Sequence, residues 1–232
     1  MSDRVLPEYR LRMEFQRPDK EVVAKFFKLP IAAISDSMYK RNTLSSWFKP
    51  AYSPFKQFAG PAFTVQALPG DELLALKAIE TAQPGDVVVV AGTSQTSCAL
   101  WGGIMTTMAK ARGVAALVTD GLVRDVDEIR GCEFPVFCHG ITPVAPVMDA
   151  GSGDMNFPIA LGGVVVNPGD IVVGGEDGVV VVPRDLASQV VKAVEFRVQK
   201  ENGWLERIHT DKEMILAGKV KELLSKRTVK LY

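Results

Sequence analysis

An α/β fold is predicted by three observations. Short valine-rich runs recur along the chain: VVVVAG at 87–92, VAALV at 114–118, GGVVVNPGD at 162–170, DIVVGG at 170–175 and DGVVVVP at 177–183. Segments with apolar residues at helical spacing stand before, between and after them. Proline, glycine and aspartate punctuate the junctions, as turns require. Helices on both sides of a valine-rich core of roughly seven strands satisfy all three. A chain of 232 residues has room for one large domain or two small ones. It carries no internal repeat and no low-complexity linker, so the reading is one domain over 1–232. Its core spans about 30–185 and a helical arm about 185–226.

In chain order, KEVVAKFFKL places Val22, Val23, Phe26 and Phe27 on one helical face that ends at Pro30. Ser35-Asp36-Ser37 is expected to cap or begin the next helix, within IAAISDSMYKR. LSSWFKPAYSPFKQF, with two prolines and scattered aromatics, reads as a loop packed on the body. GPAFTVQAL alternates as a strand, and DELLALKAIETA is an amphipathic helix with Leu73, Leu76 and Ile79 at helical spacing. Asp71-Glu72 starts that helix. Pro84-Gly85-Asp86 is a turn before the buried run VVVVAG. SCALWGGIMTTMAKARG reads as helical despite Gly102-Gly103, which open or interrupt the helix, and is stopped by Gly113, with VAALVTD as the next strand. FPVFCHG and the three later valine runs are strands, with hairpins between the last of them. Residues 185–226 form a long amphipathic helix with a break near Asn202-Gly203, followed by a further turn or two.

Composition excludes several classes of function. Twenty-seven basic and twenty-seven acidic residues cancel, leaving no net basic field for nucleic acid. No apolar run approaches the ~20 residues of a membrane span. MSDRVLPEYRLRMEF lacks the continuous apolar centre of a signal peptide, so a cytoplasmic protein is expected. Cys98, Cys132 and Cys138 have no metal-ligand spacing and read as reduced packing residues. With His139 and His209 alone, a multi-histidine zinc site is unavailable.

The chemistry concentrates after VAALV. That strand ends on Thr119-Asp120-Gly121, and Arg124-Asp125 follow three residues later. Two readings stand: a turn followed by a solvated helix start, or a site, since α/β sheets bind ligands at the carboxyl ends of their strands. Arg124 offers a planar charged fork for a carboxylate or carbonyl oxygen. Asp125 offers a hard oxygen, which favours Mg²⁺ or Mn²⁺ over zinc. Upstream, Leu100-Trp101-Gly102-Gly103-Ile104-Met105 sets two glycines in a helical segment. Either their backbone N–H groups hold an anion, aided by the helix dipole, or the glycines allow close packing.

LWGGIMTTMAKARGVAALVTDGLVRD resembles the central signature of the RraA-like family, which includes class II 4-hydroxy-4-methyl-2-oxoglutarate aldolases and oxaloacetate decarboxylases. IAAISDSMYKRN, GPAFTV, GDELLALKAIETAQPGDVVVV and NPGDIVVGGEDGVVVVP extend the resemblance collinearly over about 30–220. Early members were misnamed menaquinone methyltransferases, and this chain shows no glycine-rich S-adenosylmethionine loop.

The resemblance implies a swivelling ββα sandwich and a ring-shaped homotrimer or hexamer with sites near subunit boundaries. By position, Asp125 would hold a divalent metal, Arg124 would bind the keto oxygen of a small 2-oxo acid, and the amides of Gly102, Gly103, Ile104 and Met105 would hold its carboxylate. A glutamate from a neighbouring copy's C-terminal helix would complete the site, with Glu201 the nearest candidate and Glu195 and Glu206 on the same stretch. The implied reaction is carbon–carbon cleavage releasing pyruvate. The alternative is a non-catalytic ring that regulates an endoribonuclease. The chain departs from the family at one position: active aldolases carry Asp or Glu twenty residues ahead of Arg-Asp, and Gly103 stands there. Asp120 is the candidate to compensate. Gly103→Asp is expected to restore the acid and also to gain a few tenths of a kcal/mol of helix propensity.

Overall fold

The structure, a computed structural model, describes residues 5, 7–148, 150–212 and 214–230, so the first four residues of the segment searched for a leader lie outside the described residues. The chain runs through β1 (Tyr9–Leu11), α1 (Lys20–Phe26), α2 (Ile31–Ser37), β2 (Lys49–Pro50), β3 (Phe58–Ala67), α3 (Leu73–Thr81) and β4 (Val87–Ala91). It continues with β5 (Ala99–Trp101), α4 (Gly103–Ala111), β6 (Ala116–Thr119), β7 (Leu122–Val123), α5 (Val126–Gly131), β8 (Val136–Cys138) and β9 (Gly140–Ile141). The last elements are β10 (Gly153–Met155), β11 (Ile159–Leu161), β12 (Val164–Val166), β13 (Ile171–Gly175), β14 (Gly178–Val182), α6 (Ala187–Asp211) and α7 (Ala217–Ser225).

β3 organises the sheets. Its first residues, Phe58–Pro61, pair antiparallel with β13, and Ala62–Gln66 pair parallel with β4. From there β4, β6 and β8 extend the parallel run, and the main path reads β1-β10-β3-β4-β6-β8-β2. β13 and β14 form the expected hairpin, and β11, a strand not expected from the sequence, forms another with β12. A separate three-stranded sheet, β5-β7-β9, is parallel throughout. Both faces of the main sheet are covered, which explains why its strands are continuous valine rather than alternating. On one face α3, α4 and α5 cover Val88, Val90 and Leu117; on the other, β11 and β12 cover Val87, Val89 and Val118. α1, α2 and α6 close over β13 and β14 through Phe26, Ile34, Val191 and Val194. These layers bear out the mixed α/β class.

Several local expectations are corrected. Ser35-Asp36-Ser37 end α2 rather than begin it, because Pro30 already supplies the N-cap position. On α3 the buried face is Leu74, Ala75, Ala78 and Ile79, one residue round from the face expected. The segment around the glycine pair is not one helix: Ala99–Trp101 is a strand and α4 begins only at Gly103. α6 runs unbroken through Asn202-Gly203, and the interruption falls at Lys212, in the left-handed region at φ 51°. The aromatic loop does pack on the body, with Phe48 and Tyr52 buried. No helix among the described residues is long and apolar enough to cross a membrane.

A buried ion pair ties the N-terminal segment to the sheet. Asp86 is 1% exposed and accepts from Arg17 Nε at 2.9 Å and Nη2 at 2.6 Å, and from the Gln83 N–H at 2.9 Å. Removing the guanidinium would leave a buried carboxylate unpaired, so Arg17→Ala is expected to cost about 3 kcal/mol in urea unfolding. Burial pushes the Cys138 thiol up to about 12, against a smaller opposing hydrogen bond from the Gly140 backbone. At pH 8 a thiol reagent should therefore reach the half-buried Cys98 and Cys132 in the folded protein, and Cys138 only after unfolding, counted by mass spectrometry.

Candidate functional site

The two glycines and the Arg124-Asp125 pair meet. β5 and β7 lie side by side, and the Arg124 N–H donates to Trp101 O at 3.0 Å, so both strands deliver their next residues to the same edge. Beyond β5 the chain turns at Gly102 into α4. Trp101 Nε1 donates to Thr106 Oγ1 at 2.9 Å, and that hydroxyl donates to Gly102 O at 3.0 Å, which pins the turn from inside. Beyond β7, Asp125 adopts the left-handed conformation at φ 59°, ψ 48°, which aspartate tolerates better than most residues. It stands at the N-cap of α5 but makes no side-chain cap there. Its carboxylate turns the other way: Oδ2 accepts from the Gly103 N–H at 3.0 Å and lies 3.4 Å from Arg124 Nε.

Both glycines are required by this approach. A Cβ on Gly102 would lie 2.6 Å from Asp125 Oδ2 and 3.1 Å from Arg124 Cγ. A Cβ on Gly103 would lie 2.9 Å from Glu128 Cβ and 3.2 Å from Asp125 Cβ. Close packing and anion binding, the two readings of the pair, are thus compatible. The Gly103 N–H is engaged by Asp125, whereas the N–H groups of Ile104 and Met105, in the first turn of α4, have no acceptor among the described residues. The Arg124 and Asp125 side chains are 34% and 39% exposed, open enough for a small ligand.

The donor chemistry at Asp125 suits a hard cation. Oδ1 accepts no hydrogen bond among the described residues, and no three His, Cys, Asp or Glu side chains converge there or elsewhere among them. A cation held by this one carboxylate must fill its remaining positions with water or substrate, the habit of Mg²⁺ and Mn²⁺.

Other expected residues fall elsewhere. Asp120 is 5% exposed and fully engaged: Oδ1 accepts from the Gly92 N–H at 2.5 Å, and Oδ2 from the N–H and hydroxyl of Ser94 at 2.9 and 3.0 Å. It latches the loop after β4 and is not available to replace an acid at position 103. Glu201 pairs with Arg197 at 2.9 Å on α6, which within the chain packs mainly on α2 and α1. His139 packs against Trp47, with ring centroids 4.6 Å apart and planes tilted by 44°.

One residue was missed. Glu72, read as a helix start, is half-buried and within electrostatic reach of Arg124. Burial holds its carboxyl above the ordinary range, with Arg124 pulling it down and Asp71 adding to the rise. The strip that brings them together is residues 142–147: the Thr142 N–H donates to Val123 O, the Ala99 N–H to Val144 O, and the Glu72 N–H to Val147 O, each at 3.0 Å. The signal available was the position of Gly70-Asp71-Glu72 at the carboxyl end of a strand.

The RraA-like profile, described as Aldolase/RraA, matches residues 31–181. A protein of Halalkalibacterium halodurans, provisionally named a 4-hydroxy-4-methyl-2-oxoglutarate aldolase, is 35% identical over 88% of this chain and 96% of its own length. Among solved structures, Streptomyces coelicolor RraAS2, described as an unusual member of the RNase ES inhibitor RraA family, is 31% identical with a TM-score of 0.72, covering 82% of this chain and 98% of that one. A Geobacillus kaustophilus protein described as an S-adenosylmethionine:2-dimethylmenaquinone methyltransferase is 30% identical with a TM-score of 0.63, covering 69% and 98%. Matched by the profile across its sheets and by these relatives across most of its length, the chain belongs to the RraA-like family.

Proposed function

We propose that the chain is a divalent-metal-dependent carbon–carbon lyase that releases pyruvate from a small 2-oxo acid, of the 4-hydroxy-4-methyl-2-oxoglutarate or oxaloacetate type. The observation that carries this reading is the convergence of Arg124, an open Asp125 Oδ1 and two unengaged N–H groups at the start of α4 on one edge of the β5-β7-β9 sheet. Arg124 binds the keto oxygen of the substrate, and the Ile104 and Met105 amides receive the adjacent carboxylate with the help of the α4 dipole. Asp125 holds Mg²⁺ or Mn²⁺, which supplies Lewis acidity as negative charge develops on the keto oxygen. In the retro-aldol direction the C4 hydroxyl passes its proton to a water, and its oxygen becomes the carbonyl of the second product as the C3–C4 bond breaks. Its electron pair passes into the C2–C3 enolate, and a proton adds at C3. From oxaloacetate the same bond releases CO₂ and the same enolate is protonated. Arg124 is positioned to favour that enolate, and one well-placed donor of this kind contributes ~3 kcal/mol. No Schiff-base lysine is needed.

The exposed apolar residues Phe196, Leu205 and Ile208 along α6 support assembly into a ring of three or six copies, through which Glu201 would join a neighbour's site. A second reading, a non-catalytic regulator, draws support from the glycine at position 103 and from relatives described as RNA-processing inhibitors.

Pyruvate release coupled to lactate dehydrogenase, with the metal's own background subtracted, separates the two readings; no turnover of either substrate would leave the regulator. Arg124→Lys should fold as the parent does and lose about 100-fold in kcat/KM, because an ammonium does not reproduce the guanidinium fork. Asp125→Asn keeps an acceptor for the Gly103 N–H, so the fold should persist while Mn²⁺ affinity falls at least about 10-fold by calorimetry.

A further inference from the structure

We propose that Glu128 is the outer carboxylate of this site, holding a water of the cation at Asp125 and standing in for the acid absent at position 103. The proposal rests on the lyase reading above. Its basis is the packing of three residues. Asp125 is the N-cap of α5 and Glu128 lies three residues on, so the two share a face of its first turn. A Cβ on Gly103 would meet Glu128 Cβ at 2.9 Å, Glu128 Cγ at 3.2 Å and Asp125 Cβ at 3.2 Å. The stem of Glu128 therefore passes through the space that a side chain at 103 would enter, and it does so beside Asp125.

Charge partners sort the two neighbouring acids. Asp127 is paired with Arg130 at 2.8 Å, whereas Glu128 has no cation or N–H donor among the described residues. Asp125, although an N-cap, leaves its own helix uncapped and turns toward Gly103. The Asp125 carboxylate and the stem of Glu128 thus both lie against the α4 start, and the Glu128 carboxyl is exposed. A cation held by one carboxylate keeps several waters, and outer carboxylates fix the orientation of those waters. Glu128 supplies one from α5, and its reach is longer than that of an aspartate at 103 by a methylene. The glycine and the glutamate form one arrangement: Glu128 occupies the room, and Gly103 cedes it.

Gly103→Asp alone then does not restore a missing function. Its Cβ would sit 2.9 Å from Glu128 Cβ, a backbone-anchored atom that a rotamer change does not remove. The gain expected from helix propensity gives way to this overlap, and the single variant should be less stable than the parent.

The competing account is that Glu128 merely complements the N-terminal dipole of α5, which would affect stability and not metal binding. The test is Mn²⁺ titration of the full chain followed by electron paramagnetic resonance, with urea unfolding on the same variants. Glu128→Gln should lose about 10-fold in Mn²⁺ affinity, the ordinary effect of removing an outer-shell partner, while its unfolding midpoint stays close to the parent's. Gly103→Asp combined with Glu128→Gly, which removes the overlapping Cβ, moves the acid across the gap and should recover affinity to within about 3-fold of the parent. Asp125→Asn reports on the lyase reading itself. If Asp125→Asn loses Mn²⁺ and Glu128→Gln binds like the parent, Glu128 has no such role and the lyase reading stands. If Asp125→Asn also binds like the parent, both fall. A Glu128→Gln loss that tracks lost stability, with no recovery in the double variant, overturns the proposal in favour of the dipole.

Discussion

The hydrogen bond from the Gly103 N–H to Asp125 Oδ2 is the contact on which the site depends. It forms only because neither residue after β5 has a side chain, and because Asp125 accepts a left-handed backbone that turns its carboxylate away from its own helix. Where two paired strands of a small parallel sheet end, this bond between main chain and side chain ties the start of α4 to the cap of α5. Any Cβ at 102 would separate them, since it would overlap the carboxylate itself.

The main sheet serves this contact from a distance. β3 changes partners along its length, antiparallel to β13 and then parallel to β4, and so joins the hairpin layer to the parallel layer without a connecting loop. The Asp86–Arg17 pair anchors the start of β4, and Asp120 fastens its end to the end of β6. β6 leads directly through Gly121 into β7. The acid that the sequence offered as a catalytic substitute thus acts as a fastening that fixes where Arg124 emerges.

Much of this was legible in the sequence. Valine runs bounded by Pro-Gly-Asp turns identify β4, β13 and β14, because strands covered on both faces have no need of alternation. Gly102, Gly103, Arg124 and Asp125 were recognisable as a unit through the family signature, and the fold brings them together. Less legible was anything set by contacts between segments distant in sequence. Propensity extends a helix back through Leu100 and Trp101, but pairing with β7 claims them for a strand. Asn202-Gly203 looks like a break, yet on an exposed helix two weak residues in twenty-five are tolerated and α6 runs on. Glu72 gave only a helix-start signal, since its nearness to Arg124 arises from the strip at 142–147 that borders both. Asp120 shows the reverse case, a carboxylate in a suggestive position whose oxygens are consumed by a loop far away in the chain.

Asp125 occupies with its own carboxylate the first donor of a helix start that would otherwise welcome a ligand's. Under the proposed reading, an anion on the Ile104 and Met105 amides that reached the Gly103 N–H as well would compete with Asp125, and a cation that drew on Oδ2 as well as Oδ1 would compete with that N–H. Each ligand would then ease the binding of the other, and reciprocally so. A small acid that chelates a metal would bring both charges in one body and meet that preference in a single binding event.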